Sequence, residues 1–257
     1  MIELNHIHKY YNPGAVTQMC LFEDFSLKIE KGQFISIVGS NGSGKTSLLN
    51  IICGSIPVDQ GSILIDGRDI TGMKEYVRHQ KIGRVYQDPS KGTCANMTIL
   101  ENMALADNKG KPYGLGRSVR RSRIDSYKEM LSGLNLGLED KIHTRVGSLS
   151  GGQRQAVALL MATMTPIEML ILDEHTAALD PKTAEVIMEL TEKIVREKKL
   201  TTMMVTHNLR YAVEYGDRLL MMHQGEAIID ASGDEKRALT VEDIMGTFNK
   251  ISVECGN

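Results

Sequence analysis

The octapeptide Gly39-Ser-Asn-Gly-Ser-Gly-Lys-Thr46 constrains this chain more than any other stretch, because it fits G-x-x-x-x-G-K-[ST] and stands between two elements of opposite periodicity. Before it, Phe34-Ile-Ser-Ile-Val38 is an apolar run of strand length. After it, Lys45 to Cys53 reads as a helix closed by Gly54. A strand that turns through glycines into a helix places the chain in the α/β class. In that setting Gly39, Gly42 and Gly44 let backbone N–H groups turn inward on phosphate oxygens, and the helix start adds the positive end of its dipole. Ser40, Asn41, Ser43 and Ser47 complete the loop and its first helical turn. Lys45 supplies a point charge for terminal phosphates, and the Thr46 hydroxyl suits magnesium. A tight turn in some other α/β protein would explain the glycines but not the whole pattern in its strand-to-helix context.

Two further segments make sense only with the first. In Met169-Leu-Ile-Leu-Asp-Glu174 the apolar run needs a buried sheet position, so Asp173 emerges at the strand's carboxyl end, where ligands of open α/β sheets bind. Asp173 is placed for magnesium, and Glu174 is the natural base or water-orienting group for attack on a γ-phosphate. Two adjacent acids can also begin a helix, but that explains one acid and not the pairing with Lys45. Between these segments lies Leu149-Ser-Gly-Gly-Gln153, followed by apolar side chains at helical spacing to Met164. Ser150, Gly151 and Gly152 therefore open a helix whose N–H groups point at an anion, a second phosphate site. Together the three segments indicate nucleotide hydrolysis.

With this ordered set the chain resembles the ATP-binding-cassette (ABC) ATPases, and the resemblance covers nearly its whole length. It implies a P-loop NTPase (RecA-like) core with an antiparallel β subdomain and a helical sub-lobe carrying the signature Ser150 to Gln153. In that family the signature of one subunit closes over ATP held by the other, so a chain with one phosphate loop and one signature pairs with a second cassette. Gln87, after the apolar strand Ile82-Gly-Arg-Val-Tyr86, matches the glutamine that touches magnesium and faces the transmembrane partner. Ala178-Leu179-Asp180 matches the D-loop across the dimer seam, and His207, ending the run Met203 to Thr206, matches the switch histidine at the γ-phosphate. Tyr11 matches the aromatic on which adenine stacks, with Tyr10 the alternative one residue away. Alone, a His after a strand is a structural residue and a Tyr near a strand is packing; the ordered set lifts both.

One departure stands in Asp173-Glu-His-Thr-Ala-Ala-Leu-Asp180, since most members carry proline where this chain has His175. This version is similar to a subgroup from importers whose permeases resemble those for branched-chain amino acids. His175 is expected to be an exposed, solvated loop residue; the alternative is a group that titrates near neutral pH and tunes the site.

Composition excludes other classes. With 257 residues, 42% hydrophobic and 24% charged, the chain is globular with a sizeable core. A net charge of −2 gives no general attraction to nucleic acid. Arg117, Arg120, Arg121 and Arg123 form the one basic cluster, with spacing that suits a solvated helix face. No apolar run approaches the ~18 residues that cross a bilayer and no signal segment opens the chain, so a cytosolic protein, soluble when isolated, is expected. Cys20, Cys53, Cys94 and Cys255 lack C-x-x-C spacing and read as reduced thiols. His6-x-His8 reads as surface.

Laid over the periodicity, the resemblance implies a nucleotide-binding core with its β subdomain (1–87 and 151–230), a helical sub-lobe (88–150) and a short C-terminal tail (231–257), all within one ABC ATPase domain. Ile124, Tyr127, Met130, Leu131 and Leu134 predict a sub-lobe helix, and Pro181 opens one to about Lys198. Leu219 to Met222 should pair across Gln224-Gly225-Glu226 with Ala227 to Ile229. The resemblance implies an ATPase, with ATP and Mg2+ as cofactors, that energises a membrane transporter. The expected transporter is an importer of a small solute such as an amino acid. The expected partners are a second ATPase chain, a separate permease, which the stretch from Gln87 to about Met103 would face, and an extracytoplasmic binding protein. The subunit itself would be peripheral on the cytoplasmic side. The alternative of another class is a soluble ABC ATPase acting in an assembly complex.

Overall fold

A computed structural model describes residues 1–12, 14–112 and 118–254, with side chains to residue 251; Arg117 and Cys255 lie outside the described residues. In chain order the elements begin with β1 (Ile2–Tyr11), β2 (Met19–Ile29), β3 (Phe34–Gly39), α1 (Lys45–Cys53), β4 (Gln60–Ile65), β5 (Arg68–Asp69) and α2 (Glu75–Arg78). Next come β6 (Ile82–Val85), α3 (Ile99–Asp107), α4 (Ile124–Ser132), α5 (Gly151–Thr163), β7 (Met169–Asp173) and α6 (Pro181–Lys198). Last are β8 (Thr201–Val205), α7 (Leu209–Glu214), β9 (Arg218–His223), β10 (Glu226–Ser232), α8 (Gly233–Ala238) and α9 (Val241–Glu254). The chain gathers into two units, Met1–Arg78 with Lys199–Asn257, and His79–Lys198.

In the first unit, β2, β1, β4 and β5 form an antiparallel sheet in that order. The buried residues Ile2, Leu4 and Ile7 of β1 skip a step because His6 takes φ 51 and bulges the strand. Gly61 of β4 is there by necessity, since a β-carbon on it would stand 2.4 Å from the His6 carbonyl oxygen. All six residues of β3 are buried, with β8 and β9 parallel on its two sides. Burial on both faces is why these strands read as unbroken apolar runs. β9 turns into β10 through Gln224 and Gly225, both at positive φ (48 and 83), the primed turn that the right-handed twist of a hairpin favours.

In the second unit β6 and β7 pair in parallel, Arg84 opposite Ile171. Helix α5 lies directly on β6, because a β-carbon on Gly83 would stand 2.5 Å from the Ala162 carbonyl oxygen. Helix α3 opens with a reciprocal cap between Thr98 and Glu101. On α4, Tyr127 and Leu131 face inward as predicted, while Leu134 lies beyond the helix end at Ser132 and is buried all the same. Burial first, then its bond to Asp107, pushes the Tyr127 hydroxyl up to about 12.

One expectation is corrected here. Arg120 to Arg123 precede α4 and do not line a helix face: Arg121–Arg123 is a 3-10 turn, and Arg123 is tied to Asp107 at 2.9 Å. Of the apolar residues between Gln87 and Met103, which could either face a permease or pack in the sub-lobe, Ile99, Leu100 and Met103 are core residues and Met97 is half-exposed. No helix among the described residues is long and apolar enough to cross a membrane.

Candidate functional site

The phosphate loop leaves the carboxyl end of β3, in the first unit. Gly44 caps α1 at φ 100, a conformation that L side chains resist, and a β-carbon there would meet the Phe22 ring at 3.0 Å. The Lys45 side chain, 5% exposed, arches back over the loop, and its ammonium donates to the carbonyl oxygens of Gly39 and Ser40, both at 2.8 Å. It also reaches Ser43 Oγ at 3.4 Å, which fixes the charge above the loop backbone. Asn41, Gly42 and Thr46 are exposed.

The β9–β10 turn braces this loop. A β-carbon on Gly39 would stand 2.3 Å from the Met222 carbonyl oxygen, so the loop begins flush against β9. The Gly225 N–H donates to the Ser43 carbonyl at 3.1 Å, and Ser40 Oγ lies 3.4 Å from His223 Nδ1. Of the two candidate tyrosines, Tyr11 meets α1, its hydroxyl 3.4 Å from Ser47 Oγ, while Tyr10 gives its backbone N–H to Asp59 at 2.7 Å. The Thr206 N–H donates to the Ile37 carbonyl at 3.1 Å, so the exposed His207 emerges beside the end of β3. The first unit thus brings together Tyr11, Gly39 to Ser47 and His207.

The second unit carries the acids. Asp173 ends β7, its Oδ2 accepting a 2.7 Å bond from Arg84 Nη2 on β6. Glu174 follows, half-buried at φ 49, which breaks the strand and denies the pair of acids to a helix start. His175 is 2% exposed, so the expectation of a solvated loop residue is wrong. Its Nε2 lies 3.1 Å from Thr191 Oγ1, and that hydroxyl donates to the Ile187 carbonyl at 2.7 Å. The Thr191 oxygen is therefore the acceptor and Nε2 carries the proton. Burial lowers the His175 pKa to about 4, so it is neutral at physiological pH and does not titrate there.

Ser150 is the N-cap of α5: its hydroxyl accepts from the Gln153 N–H and the Gln153 side chain accepts from the Ser150 N–H, each at 3.3 Å. The Ser150 N–H is thus engaged within the chain, and Gly151 and Gly152 hold the other donors of that turn. Both glycines are also closely covered: a β-carbon would meet Leu179 Cδ2, ahead of α6, at 3.2 Å from Gly151, and Thr183 Cγ2 of α6 at 2.2 Å from Gly152. Asp180 accepts the Thr183 N–H at 3.1 Å and caps α6 ahead of Pro181. Bonds to Thr183 hold its carboxyl below the usual range. Gln87 is exposed just beyond β6, and the buried Gln155 of α5 donates its amide to the Tyr86 carbonyl at 3.1 Å.

The donors assigned to magnesium, the Thr46 hydroxyl, the Gln87 amide and the Asp173 carboxylate, are hard oxygens, which suits an ion held by few protein ligands plus phosphate and water. Among the described residues no cluster of His, Cys, Asp and Glu suits a softer metal. Sequence reasoning missed Arg84, His223 and Gly225. An arginine inside the apolar strand Ile82 to Val85 is itself a signal, because a buried charge demands a partner. The Ser150–Gln153 cap was legible as S-x-x-Q.

Comparison with known proteins shows the family. A family model described as ABC transporter matches residues 22–177. The tyrosine transport ATP-binding protein of Clostridioides difficile (strain R20291) is 47% identical over 248 residues, 96% of this chain and 98% of that protein. The methionine import ATP-binding protein MetN 1 of Bacillus thuringiensis subsp. konkukian (strain 97-27) is 34% identical over 231 residues, covering 89% of this chain and 65% of that protein's length. Among solved structures, the dimeric bacterial ABC transporter cassette MJ0796 has a TM-score of 0.74 at 31% identity, over 90% of this chain and 98% of that one. MJ1267, at 24% identity and a TM-score of 0.80 over the whole chain, shares the fold. A P-loop cassette matched along nearly its whole length by such a relative belongs to the ABC transporter family, as an ATP-binding subunit that hydrolyses ATP.

Proposed function

We propose that this chain energises a membrane importer of a small solute, an amino acid, by binding ATP between two cassettes and hydrolysing it. The observation that carries this reading is the 47% identity, along 96% of the chain, to a tyrosine transport ATP-binding protein. The methionine import relative points to the same solute class. The dimeric cassette holding ADP and Pi, 30% identical to this chain, supports a second cassette as partner.

In this reading the N–H groups of Gly39 to Gly44 cradle the phosphates, Lys45 neutralises the terminal ones, and Tyr11 stacks on adenine. Thr46, Gln87 and Asp173 hold magnesium, which when bound draws charge from the γ-phosphate. Glu174 orients and deprotonates the attacking water, and His207 contacts the γ-phosphate. Ser150 to Gln153 close over the ATP of the partner cassette, and Asp180 lies at the seam. Closure reshapes a separate permease, which receives solute from an extracytoplasmic binding protein, and hydrolysis reopens the pair. The subunit sits on the cytoplasmic side of the membrane. Coexpression with a candidate multi-spanning permease tests this: the two should copurify, and cells should take up labelled amino acid only when Glu174 is intact. Recovery with soluble partners alone, and none in the membranes, would favour an assembly ATPase.

A further inference from the structure

Arg84 occupies a position where a guanidinium is costly. It sits on β6 between Gly83 and Val85, its side chain 7% exposed, and it cannot shed its charge by losing a proton. Among the contacts that hold it, Nη2 lies 2.7 Å from Asp173 Oδ2, and the guanidinium carbon lies 4.7 Å from the Tyr86 ring centroid. The parallel register, Arg84 opposite Ile171, brings the side chain to the end of β7, where Asp173 itself is only 16% exposed. Arg84 is also among the residues that line a cleft of about 330 Å³, with Tyr86, Leu105, Ala158 and Met161.

We propose that Arg84 is the resident counter-cation of Asp173, so that a divalent metal reaches this carboxylate by exchange with the guanidinium. The inference rests on Asp173 being a metal ligand. A positive side chain within hydrogen-bond reach of the carboxylate repels an incoming dication and already satisfies the oxygen it needs. Arg84 is thus a positioning residue with two effects. It keeps Asp173 neutralised and in place when no metal is bound, and it limits how much the metal adds to nucleotide affinity.

The test is the ratio of the dissociation constants of fluorescently labelled ADP in EDTA and in saturating Mg2+, which isolates the contribution of the metal without turnover. Arg84→Gln should raise this ratio about tenfold, whereas Arg84→Lys, which keeps the charge, should stay within about threefold of wild type. Affinity in EDTA should stay within about twofold for both, a pattern that general loosening of the fold would not give. Asp173→Asn should lower the ratio. If it does so while Arg84→Gln leaves the ratio unchanged or lower, the exchange is wrong and Asp173 remains the ligand; if Asp173→Asn changes nothing, both fall. Wild-type protein gives an independent measurement should a variant not fold. The Arg84 guanidinium N–H signals, slowed in rotation by the carboxylate, should sharpen into free rotation with Mg2+-ADP and not with ADP alone. Identical signals in the two states would overturn the proposal.

Discussion

The phosphate loop and the acidic strand end are built by different means. In the first, backbone makes the site: glycines at positive φ shape the turn, and Lys45 is anchored by carbonyls five and six residues away. In the second, side chains hold side chains over long separations, Arg84 to Asp173 across 89 residues and His175 to Thr191 across 16. A backbone cradle tolerates exchange of its exposed side chains and fails when a β-carbon is added. A side-chain clasp behaves the other way round. The contrast teaches that binding and chemistry in this chain should be separable by mutation.

The largest expected effect tests that separation directly. If Glu174 is the general base, Glu174→Gln should cut steady-state hydrolysis by about 10²–10⁴-fold while leaving nucleotide affinity within a few-fold, because that assistance is lost and the cradle is untouched. If Lys45 neutralises the terminal phosphates, Lys45→Ala should weaken nucleotide binding by at least about tenfold, since a charge-assisted contact disappears. Phosphate release and nucleotide titration read the two, and equal loss of affinity in both variants would break the comparison.

A second effect belongs to the side-chain clasp and depends on pH. The folded His175 pKa, about 4, lies below its ordinary 6.5, so under pH 6.5 the unfolded chain takes up a proton that the folded chain refuses. Stability from this group is fully present above pH 6.5 and declines as pH falls toward 4, by about 3 kcal/mol in total. Other groups titrate in the same window, so the measurement is the difference in urea midpoints between wild type and His175→Gln across it. That difference should shrink as pH falls; curves that stay parallel would contradict a buried neutral imidazole.

The smallest effect sharpens the backbone side of the comparison. Tyr11→Ala should weaken nucleotide binding by about 1–3 kcal/mol if its ring stacks on adenine, whereas Tyr11→Phe should cost only a few tenths, because its hydroxyl makes one long contact to Ser47 at 3.4 Å. Equal losses by fluorescence titration would assign the role to the hydroxyl.

Local chemistry was legible in the sequence for a physical reason. Helix α1 begins at Lys45 and ends before Gly54, and α6 runs from Pro181 to Lys198, as expected, because caps, glycines and prolines act within a few residues. The hairpin across Gln224 and Gly225 was legible for the same reason. His175 was misjudged because nothing local announces Thr191, which reaches it only once α6 folds back. Arg84 escaped likewise: its partner arrives through strand pairing, and the eye follows the apolar residues around it. The arginines before α4 were misplaced because a 3-10 turn and a helix share similar short spacings.

One small contact governs how force travels through the second unit. The Gln155 amide is bonded to the Tyr86 carbonyl, and Gly83 lets β6 touch the backbone of α5 at Ala162. Strand and helix are thereby pinned at two points, like a beam bolted at two rivets, with little slack between them. Gln87 follows Tyr86, whose carbonyl is bonded to Gln155, so the loop at Gln87 is tied to this helix, a rod about 20 Å long, close to the end that Ser150 caps. Gln87 and the turn at Ser150 to Gln153 therefore rest on one strand-and-helix pair, so that a displacement of either should be felt at the other.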